Sequence, residues 1–440
     1  MAYKTQYDFY MSEIQSQWPA VAWMISGGMH IDTSALIAHR RDIIDSITKQ
    51  EQSLKTAVGW VPNTKSPLDM ARLFTALGIN ARRTPTGRVK AARDDLLTYA
   101  HSNPSARAVL SVCLEITRLR TLQSNFLDLA LDGLDRYHPT YRLNGTATGR
   151  LASQGADEGG PQGQNWPHAL LNIVIADDPS LDELTEADLK QAEDMIIAWD
   201  AEDRIAIEAF EQDIDSHRLK GCWAFRNWQY NQGVPPATLL ASITEVCKTC
   251  GSLGQTKCNH SERFLSKQSG YAFKYKMGVR KFTNKILPNA GVWITEAEGK
   301  RIRDRVVSPP TIRWQDDTER SLRKSRVLTN LLGRQREFYG LLDDSGELLR
   351  AALSWRAQSV VGVIAGRAIT RLERSLRLIG PSARLITQRH DSVLVSHRRS
   401  DRERVRDAIN AAFASPIVAH GRTLNIPIEM KHGKNWRDLH

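Results

Sequence analysis

The sequence predicts an α+β protein in which a small antiparallel sheet lies among large helical regions. Apolar residues recur at helical spacing through residues 32–137 and again through about 203–310, which is the pattern of amphipathic helices. Two apolar runs at 384–387 and 393–396 flank a tight turn at 390–391, which predicts a β-hairpin. Helices and strands that occupy separate stretches of a chain are typical of the α+β class.

The first helical region carries an exposed basic tip around residues 78–93. Leu36, Ile43, Val109 and Ile116 follow helical spacing on either side of it, whereas the Thr, Pro and Gly residues at 84–87 cannot continue a helix. The tip is rich in Arg and Lys. It therefore suits contact with phosphate groups, and it equally suits a solvated surface loop.

The amino-acid composition changes at residues 141–167, which are rich in Gly, Thr, Asn and Gln. Such residues suit hydrogen bonding to nucleic acid better than they suit a core. A short strand at 187–189 then runs into a predicted helix at 191–201, and another helix is predicted at 346–378.

Composition and charge narrow the class of partner. The 440 residues are 41% apolar, which is enough for a large core and several subdomains. Sixty Lys and Arg against 49 Asp and Glu give a net charge of +11, and this favours a polyanionic partner such as nucleic acid. No apolar run reaches the roughly 18 residues of a membrane span, and the start lacks a signal-peptide apolar segment. We therefore expect no membrane partner and an intracellular protein, in the cytoplasm of a bacterial or phage-infected cell.

Asp188 and Asp391 are the candidate metal ligands. Asp188 ends the short strand and Asp391 lies at the hairpin tip, so two neighbouring strands could bring them together. Joining a nucleotide to a 3′-hydroxyl uses two divalent ions about 3.5–4 Å apart, and such hard cations prefer carboxylate oxygens. Taken alone, Asp188 also fits a helix cap and Asp391 also fits a turn former.

A cysteine and histidine cluster suggests a second kind of metal site. Cys247, Cys250, Cys258 and His260 lie within fourteen residues, with intervening glycines that allow tight turns. This set of ligands suits tetrahedral Zn²⁺ in a structural role. A redox pair or incidental free thiols remain open alternatives.

A four-residue repeat of Lys281, Lys285, Asn289 and Trp293 predicts one face of a helix that presents cations to phosphates and an aromatic ring to a base pair. Pro288 falls inside this helix, so we expect a kink or a restart there. The alternative is an ordinary amphipathic helix with solvated lysines.

Several motifs in order along the chain resemble those of family-A DNA polymerases, the DNA polymerase I type, over nearly its whole length. Residues 187–193, ADLKQAE, resemble the first metal motif of that family, and residues 388–391, QRHD, resemble the second. Shorter matches lie at 148–151 (TGRL), 164–167 (QNWP), 215–217 (DSH), 333–336 (GRQR) and 435–436 (NW).

The resemblance implies a right-hand fold with thumb, palm and fingers. It divides the chain into an N-terminal segment leading into the palm and thumb, a thumb, a palm with the first metal motif, fingers with a zinc-like insert at about 240–262, and a palm with the second metal motif. The corresponding limits are 1–31, 32–140, 141–202, 203–320 and 321–440.

The resemblance also assigns roles by position. Asp188, the Leu189 carbonyl and Asp391 would bind Mg²⁺ or Mn²⁺, and Lys285 would contact the triphosphate as the general acid. Glu193 would lie under the incoming sugar and exclude a 2′-hydroxyl. The remaining nucleotide contacts would be Gln191, Lys281, Asn289 and Trp293. The DNA contacts would be Arg150, Gln164, Asn165, Arg350, Ser354, Gln358, Gln388 and His390.

The chain departs from the family pattern at Ser392, Ser354 and Asn289. Ser392 replaces the acidic residue that commonly follows the second metal aspartate, Ser354 replaces an asparagine, and Asn289 replaces an aromatic residue that packs on the sugar. The last change predicts altered sugar discrimination. The thumb-like pattern begins by about residue 32, so we also expect no 3′–5′ or 5′ nuclease activity, with any editing left to a separate exonuclease or replisome protein.

The predicted function is that of a template-directed DNA polymerase, acting as a monomer on primer–template DNA with dNTPs. One alternative is a single-subunit RNA polymerase, against which Glu193 argues. Another is a catalytically inactive nucleic-acid-binding protein of a replisome, against which the two metal aspartates argue.

Overall fold

The structure is a computed structural model that describes residues 5–156, 160–225, 262–289, 292–343 and 346–440. The predicted zinc ligands Cys247, Cys250, Cys258 and His260 lie outside these residues. Helices predominate and the sheets are small and antiparallel, so the predicted α+β class is confirmed. The chain forms two compact units, which we call the sheet unit (Met1–His39, Asn125–Ile207 and Arg313–His440) and the helical unit (Arg40–Ser124 and Glu208–Ile312). The thumb, palm and finger limits given above stay predictions.

The strands of the described residues all belong to the sheet unit. They are β1 Met29–Ile31, β2 Arg136–Tyr137, β3 Tyr141–Arg142, β4 Ala152–Ser153, β5 Val174–Ile175, β6 Asp182–Leu189, β7 Val327–Thr329, β8 Gln335–Glu337, β9 Arg384–Arg389, β10 Ser392–Arg398, β11 Ile417–Ala419, β12 Arg422–Leu424 and β13 Ile428–Gly433.

The central sheet has the strand order β13-β6-β10-β9, with every pair antiparallel. The predicted hairpin is β9 and β10, and its turn is tight because His390 adopts a positive φ of 55°. Strand β10 pairs with β6 from Ser392 opposite Asp188 to Arg398 opposite Asp182. This pairing brings the two predicted metal motifs to one end of the sheet.

One face of the central sheet packs on an apolar core. Because side chains alternate along a strand, Leu184 of β6 and Leu394 of β10 both reach that core, together with Met29, Ile31, Tyr137, Trp166, Ile173, Ile386, Trp436 and Leu439. The core thus joins segments from both ends of the chain.

The longest helix of the sheet unit is Glu347–Ile379, close to its predicted limits. Glycines with positive φ stand just outside both ends, Gly346 at 64° and Gly380 at 140°, and such backbone cannot continue the helix. The other helices that lie wholly in this unit are Gln6–Phe9, Trp18–Gly27, Ala192–Asp200 and Arg402–Phe413.

The described residues of the helical unit include two apolar cores. The first contains Met70, Phe74, Leu96 and Leu110, and the second contains Phe273, Phe282, Leu287 and Ile302. Its helices include Pro67–Ala76, Arg93–Ser102, Arg107–Leu122, Ser216–Phe225, Glu262–Lys274 and Glu296–Val306. Three helices have residues in both units: Thr33–Val58, Arg204–Glu211 and Pro309–Ser325.

The restart predicted at Pro288 is confirmed in the helix that begins near Lys281, whereas the predicted extension of its face to Trp293 is wrong. Its first turn is α-helical at Val279–Lys281, a π-helical turn follows at Phe282–Ile286, and the α-helix restarts at Leu287–Asn289. Pro288 lies in the restart, where its missing N–H cannot support a regular ladder. Trp293 lies in non-helical backbone, so it does not continue the lysine face.

Among the described helices, none combines the length and the apolar composition that a membrane crossing requires.

Candidate active site

Asp188 and Asp391 meet at one end of the central sheet. Asp188 is exposed near the end of β6, and Asp391 is half-buried in the hairpin turn. Asp188 lies directly opposite Ser392, the residue after Asp391. The Leu189 N–H also donates a hydrogen bond of 3.2 Å to the Asp391 carbonyl oxygen. Strand pairing therefore brings the two aspartates together although they are far apart in the sequence.

Both aspartates line a cavity of about 270 Å³. Its walls carry two more carboxylates, Glu186 and Glu429, two cations, Arg389 and Lys431, and the neighbouring Ser392, His390, Leu439 and His440. Burial raises the pKa of Asp391, and the positive charge of Arg150 partly offsets that effect. Several carboxylate oxygens around one small cavity fit a hard divalent cation, and such binding keeps the carboxylates ionised.

Glu193 stands in the first turn of the helix that follows β6. One of its oxygens accepts a hydrogen bond of 2.7 Å from the Arg150 guanidinium, and the side chains of this ion pair are each only 16% exposed. The other oxygen lies 3.5 Å from Nε2 of Gln358 on the long helix. The structure thus unites three residues that were predicted for different contacts.

Gln164 and Gln388 lie beneath the hairpin, and neither side chain reaches the surface: they are 6% and 2% exposed. Nε2 of Gln164 donates to the Gln388 carbonyl at 3.0 Å, and its Oε1 accepts from the Ser153 N–H at 3.0 Å. Gln388 in turn donates to the His390 carbonyl at 2.6 Å. As described, these residues support the turn that carries Asp391. Their direct contact with DNA stays a prediction.

Other predicted DNA contacts are more accessible. Arg350, Ser354 and Gln358 are half-buried at four-residue intervals on the helix Glu347–Ile379, so they share one face of it. Asn165 and His390 are exposed. Gln191, predicted to contact the nucleotide, precedes the helix Ala192–Asp200 with a positive φ of 53°.

The predicted nucleotide-binding lysines belong to the helical unit. Nζ of Lys285 forms an ion pair of 2.9 Å with Asp94 of the helix Arg93–Ser102. Lys281 is exposed. The indole of Trp293 stacks on His101 with ring centroids 6.0 Å apart and lies under the Arg107 guanidinium. Asn289 is the last residue of the short helix Leu287–Asn289, and the structure does not describe its side chain.

Sequence reasoning missed Glu186, Glu429, Arg389, Lys431 and His440 as members of the site. The signal for Glu186 was available, because a residue two positions before Asp188 on a strand faces the same side of the sheet. Glu429 and Lys431 could not be found in this way, since their place depends on the pairing of β13 with β6.

The opposite face of β6 holds a separate polar cluster of Glu183, Thr185, His397 and His432. Nδ1 of His397 donates to the Arg398 carbonyl at 2.8 Å, and the Thr185 hydroxyl lies 2.6 Å from Nε2 of His397 and 2.7 Å from Nδ1 of His432. Both oxygens of Glu183 accept hydrogen bonds from Arg402. One atom each of Glu183, His397 and His432 lie within 4.8 Å of one another, but these bonds already satisfy the cluster.

The chain is similar in sequence and in fold to known DNA polymerases. Residues 33–229 match the family model of DNA polymerase family A. The chain is 24% identical over 434 residues to DNA polymerase I of Treponema pallidum, covering 96% of this chain and 39% of that protein. It is 23% identical over 437 residues to DNA polymerase I of Pseudomonas aeruginosa, covering 96% and 43%. The chain therefore spans about two-fifths of the length of these relatives.

A solved structure is also similar to this fold. It is the POL domain of Pol1 from M. smegmatis in complex with DNA primer-template and dNTP, with a TM-score of 0.75 at 20% identity, covering 98% of this chain and 71% of that chain. The fold is thus that of a right-hand nucleic-acid polymerase. Within that class its architecture is similar to that of a family-A polymerase domain.

Proposed function

We propose that this chain is a template-directed DNA polymerase that adds deoxynucleotides to a primer 3′-hydroxyl. The observation that carries the proposal is the meeting of Asp188 and Asp391 at one cavity of a family-A polymerase fold. These carboxylates and the Leu189 carbonyl would hold two Mg²⁺ or Mn²⁺ ions. When bound, such ions activate the attacking hydroxyl and neutralise charge on the triphosphate.

The protein's own contribution is to position these ligands before substrate binds. The β6–β10 pairing places Asp188 beside the turn, and Gln164 and Gln388 hold the turn from below. Preorganised ligands lower the cost of reorganisation during the reaction. In this proposal Lys285 contacts the triphosphate and gives a proton to the leaving pyrophosphate, and primer–template DNA and dNTPs are the substrates.

We assign sugar selection to Glu193. Arg150 and Gln358 fix its carboxylate from two sides, so the side chain cannot easily swing aside for a 2′-hydroxyl. This arrangement favours a DNA polymerase over a single-subunit RNA polymerase. The four carboxylates of the cavity favour an active enzyme over an inactive nucleic-acid-binding protein.

We propose a structural Zn²⁺ for Cys247, Cys250, Cys258 and His260, on the ground of their ligand types and spacing alone. Editing by a separate exonuclease or replisome protein, the monomeric state and the intracellular location stay predictions.

Primer extension tests the proposed function. The purified chain is given a labelled primer on DNA or RNA template with Mg²⁺ and either dNTPs or NTPs. We expect extension with dNTPs on DNA. Asp188→Asn and Asp391→Asn should each abolish it, because each removes a charged metal ligand.

Asp45→Asn provides the matched control, since Asp45 is exposed on the helix Thr33–Val58, outside the cavity. It should extend primers at the wild-type rate. Extension by Asp391→Asn at that same rate would contradict the mechanism, and a preference for NTPs would indicate the RNA polymerase instead.

A further inference from the structure

Glu186 is a buried carboxylate that faces the same cavity as the two metal aspartates. It lies two residues before Asp188 on β6, so both side chains point to the same side of the sheet. It is only 7% exposed, yet it forms part of the cavity wall. A buried carboxylate is costly unless its charge is compensated. Arg389 and Lys431 in the same cavity offset part of this charge, and a divalent cation held by Asp188 and Asp391 would compensate it further.

On the paired strand β10, Leu394 lies directly opposite Glu186, and Ser392 is the diagonal neighbour of Glu186 nearer the turn. The Ser392 hydroxyl lies 3.1 Å from Oε1 of Glu186 and 3.2 Å from the Arg389 carbonyl. An acidic side chain at position 392 would put a second negative charge against Glu186 at this distance. Serine removes that repulsion and can donate a hydrogen bond. With serine at position 392, Glu186 on β6 is the one carboxylate of this residue pair.

His440 approaches the other oxygen of Glu186. Its Nε2 lies 3.1 Å from Oε2, within hydrogen-bonding distance. An ionised carboxylate has about four acceptor positions on its two oxygens. Ser392 and His440 therefore orient the group without exhausting its capacity to bind a cation in the cavity.

We propose that Glu186 contributes a third carboxylate to the divalent-cation site of Asp188 and Asp391, in the place of an acid at position 392. The inference rests on the proposed polymerase function, and it deepens that function by naming a further cation ligand. Glu429 lines the same cavity, but it is exposed and lies 4.0 Å from Lys431. It therefore serves as a comparison for the general effect of charge.

The test measures Mn²⁺ binding to the full chain without DNA or dNTP, by electron paramagnetic resonance of the free ion. Glu186→Gln keeps the volume of the side chain and removes its charge. We expect it to weaken Mn²⁺ binding by about tenfold or more, the scale of losses at tuned metal sites. Glu429→Gln should weaken binding distinctly less. Equal losses in the two variants, or unchanged binding in Glu186→Gln, would overturn the proposal.

A relocation experiment covers the case in which Glu186→Gln does not fold. Glu186→Ser should lose Mn²⁺ affinity, and the double variant Glu186→Ser with Ser392→Glu should regain it, because the carboxylate returns to the same cavity from β10. A folded double variant that binds no better than Glu186→Ser would overturn the proposal. Thermal unfolding without metal verifies folding.

Asp391→Asn separates this inference from the function on which it rests. If Asp391→Asn loses Mn²⁺ binding while Glu186→Gln keeps it, only the third carboxylate is wrong. If the wild type binds no Mn²⁺ and extends no primer, the proposed function itself is wrong.

Discussion

At the scale of single residues, the orientation of the Glu193 carboxylate depends on its contacts with Arg150 and Gln358. Its carboxylate is largely removed from solvent and is bonded to Arg150 and Gln358. A partly buried, charge-assisted pair is stronger than an exposed one, so Glu193 is held in one orientation. A rigid carboxylate of this kind can exclude a substrate hydroxyl that a mobile side chain would admit.

We predict that Glu193→Ala raises the incorporation of NTPs relative to dNTPs by at least about tenfold, because the obstructing carboxylate is gone. Single-nucleotide incorporation with both substrates gives the two kcat/KM values. Asp45→Asn should leave their ratio unchanged. If Glu193→Ala also leaves the ratio unchanged, sugar selection lies elsewhere.

Lys285 and Lys281 differ in environment although the repeat predicted one face for both. Lys285 is paired with Asp94, and Lys281 is exposed. The Lys285–Asp94 pair is itself well exposed, with side chains 34% and 59% accessible, so its own contribution to stability is small. Because this ion pair is weak, Lys285 can release Asp94 and bind a phosphate group at little cost in free energy.

We predict that Lys285→Ala lowers kcat/KM for dNTPs by about ten- to a hundredfold, the scale of a lost hydrogen bond to a charged group. Lys281→Ala should have a smaller effect. Asp94→Asn is the control for the ion pair and should change the rate only slightly. If Asp94→Asn is as damaging as Lys285→Ala, the lysine acts through its pairing with Asp94 and not on the triphosphate.

At the scale of elements, the β9–β10 hairpin depends on a buried amide chain. Gln164 joins Ser153 to Gln388, and Gln388 bonds the carbonyl of the turn. If Gln164 is truncated, the Ser153 N–H and the Gln388 carbonyl each lose a buried hydrogen bond. The hairpin therefore relies on a segment that lies more than two hundred residues earlier in the chain.

We predict that Gln164→Ala destabilises the protein by about 1–3 kcal/mol, because it leaves buried polar groups unsatisfied. It should also lower kcat, since the turn carries Asp391. Urea unfolding and primer extension measure the two effects. Asn165→Ala, at the exposed neighbouring position, should leave the free energy of unfolding unchanged. A Gln164→Ala variant with wild-type stability would show that the amide chain does not support the hairpin.

The helix that carries the two lysines shows where element prediction failed. The four-residue repeat predicted one face from Lys281 to Trp293 with a kink or restart at Pro288. The helix changes to π geometry at Phe282–Ile286 and restarts at Leu287–Asn289, but the backbone at Trp293 is not helical. Pro288 signalled the interruption, because proline cannot donate to the helix ladder. What it could not indicate was that Trp293 would stack on His101, a contact that depends on packing within the helical unit.

At the scale of the whole molecule, the proposed Zn²⁺ site consists of residues that lie outside the described ranges. We predict that the purified chain contains roughly one Zn²⁺ ion, bound by three thiolates and one histidine. Elemental analysis after exhaustive dialysis measures it. A double variant, Cys247→Ser with Cys250→Ser, should lose the ion and unfold at a lower temperature. Metal-free wild-type protein with three titratable thiols would exclude the site.

The sequence alone was sufficient for the class of fold, and it predicted that Asp188 and Asp391 could lie close together. Helical spacing and the hairpin turn are local patterns of residues, and the order of the motifs is given by the chain itself. All three can therefore be identified from the sequence without a structure. The matches at Asp188 and Asp391 predicted the site, and the structure brings these residues to one cavity.

Only the tertiary structure decided which other residues lie at or near the cavity of Asp188 and Asp391. It placed Glu186 on the cavity wall, buried Gln164 and Gln388 beneath the turn, and joined Glu193 to Arg150. These outcomes depend on the register between β6 and β10 and on which groups lose contact with water. Register and burial arise from pairing between distant segments, so spacing along the chain cannot determine them.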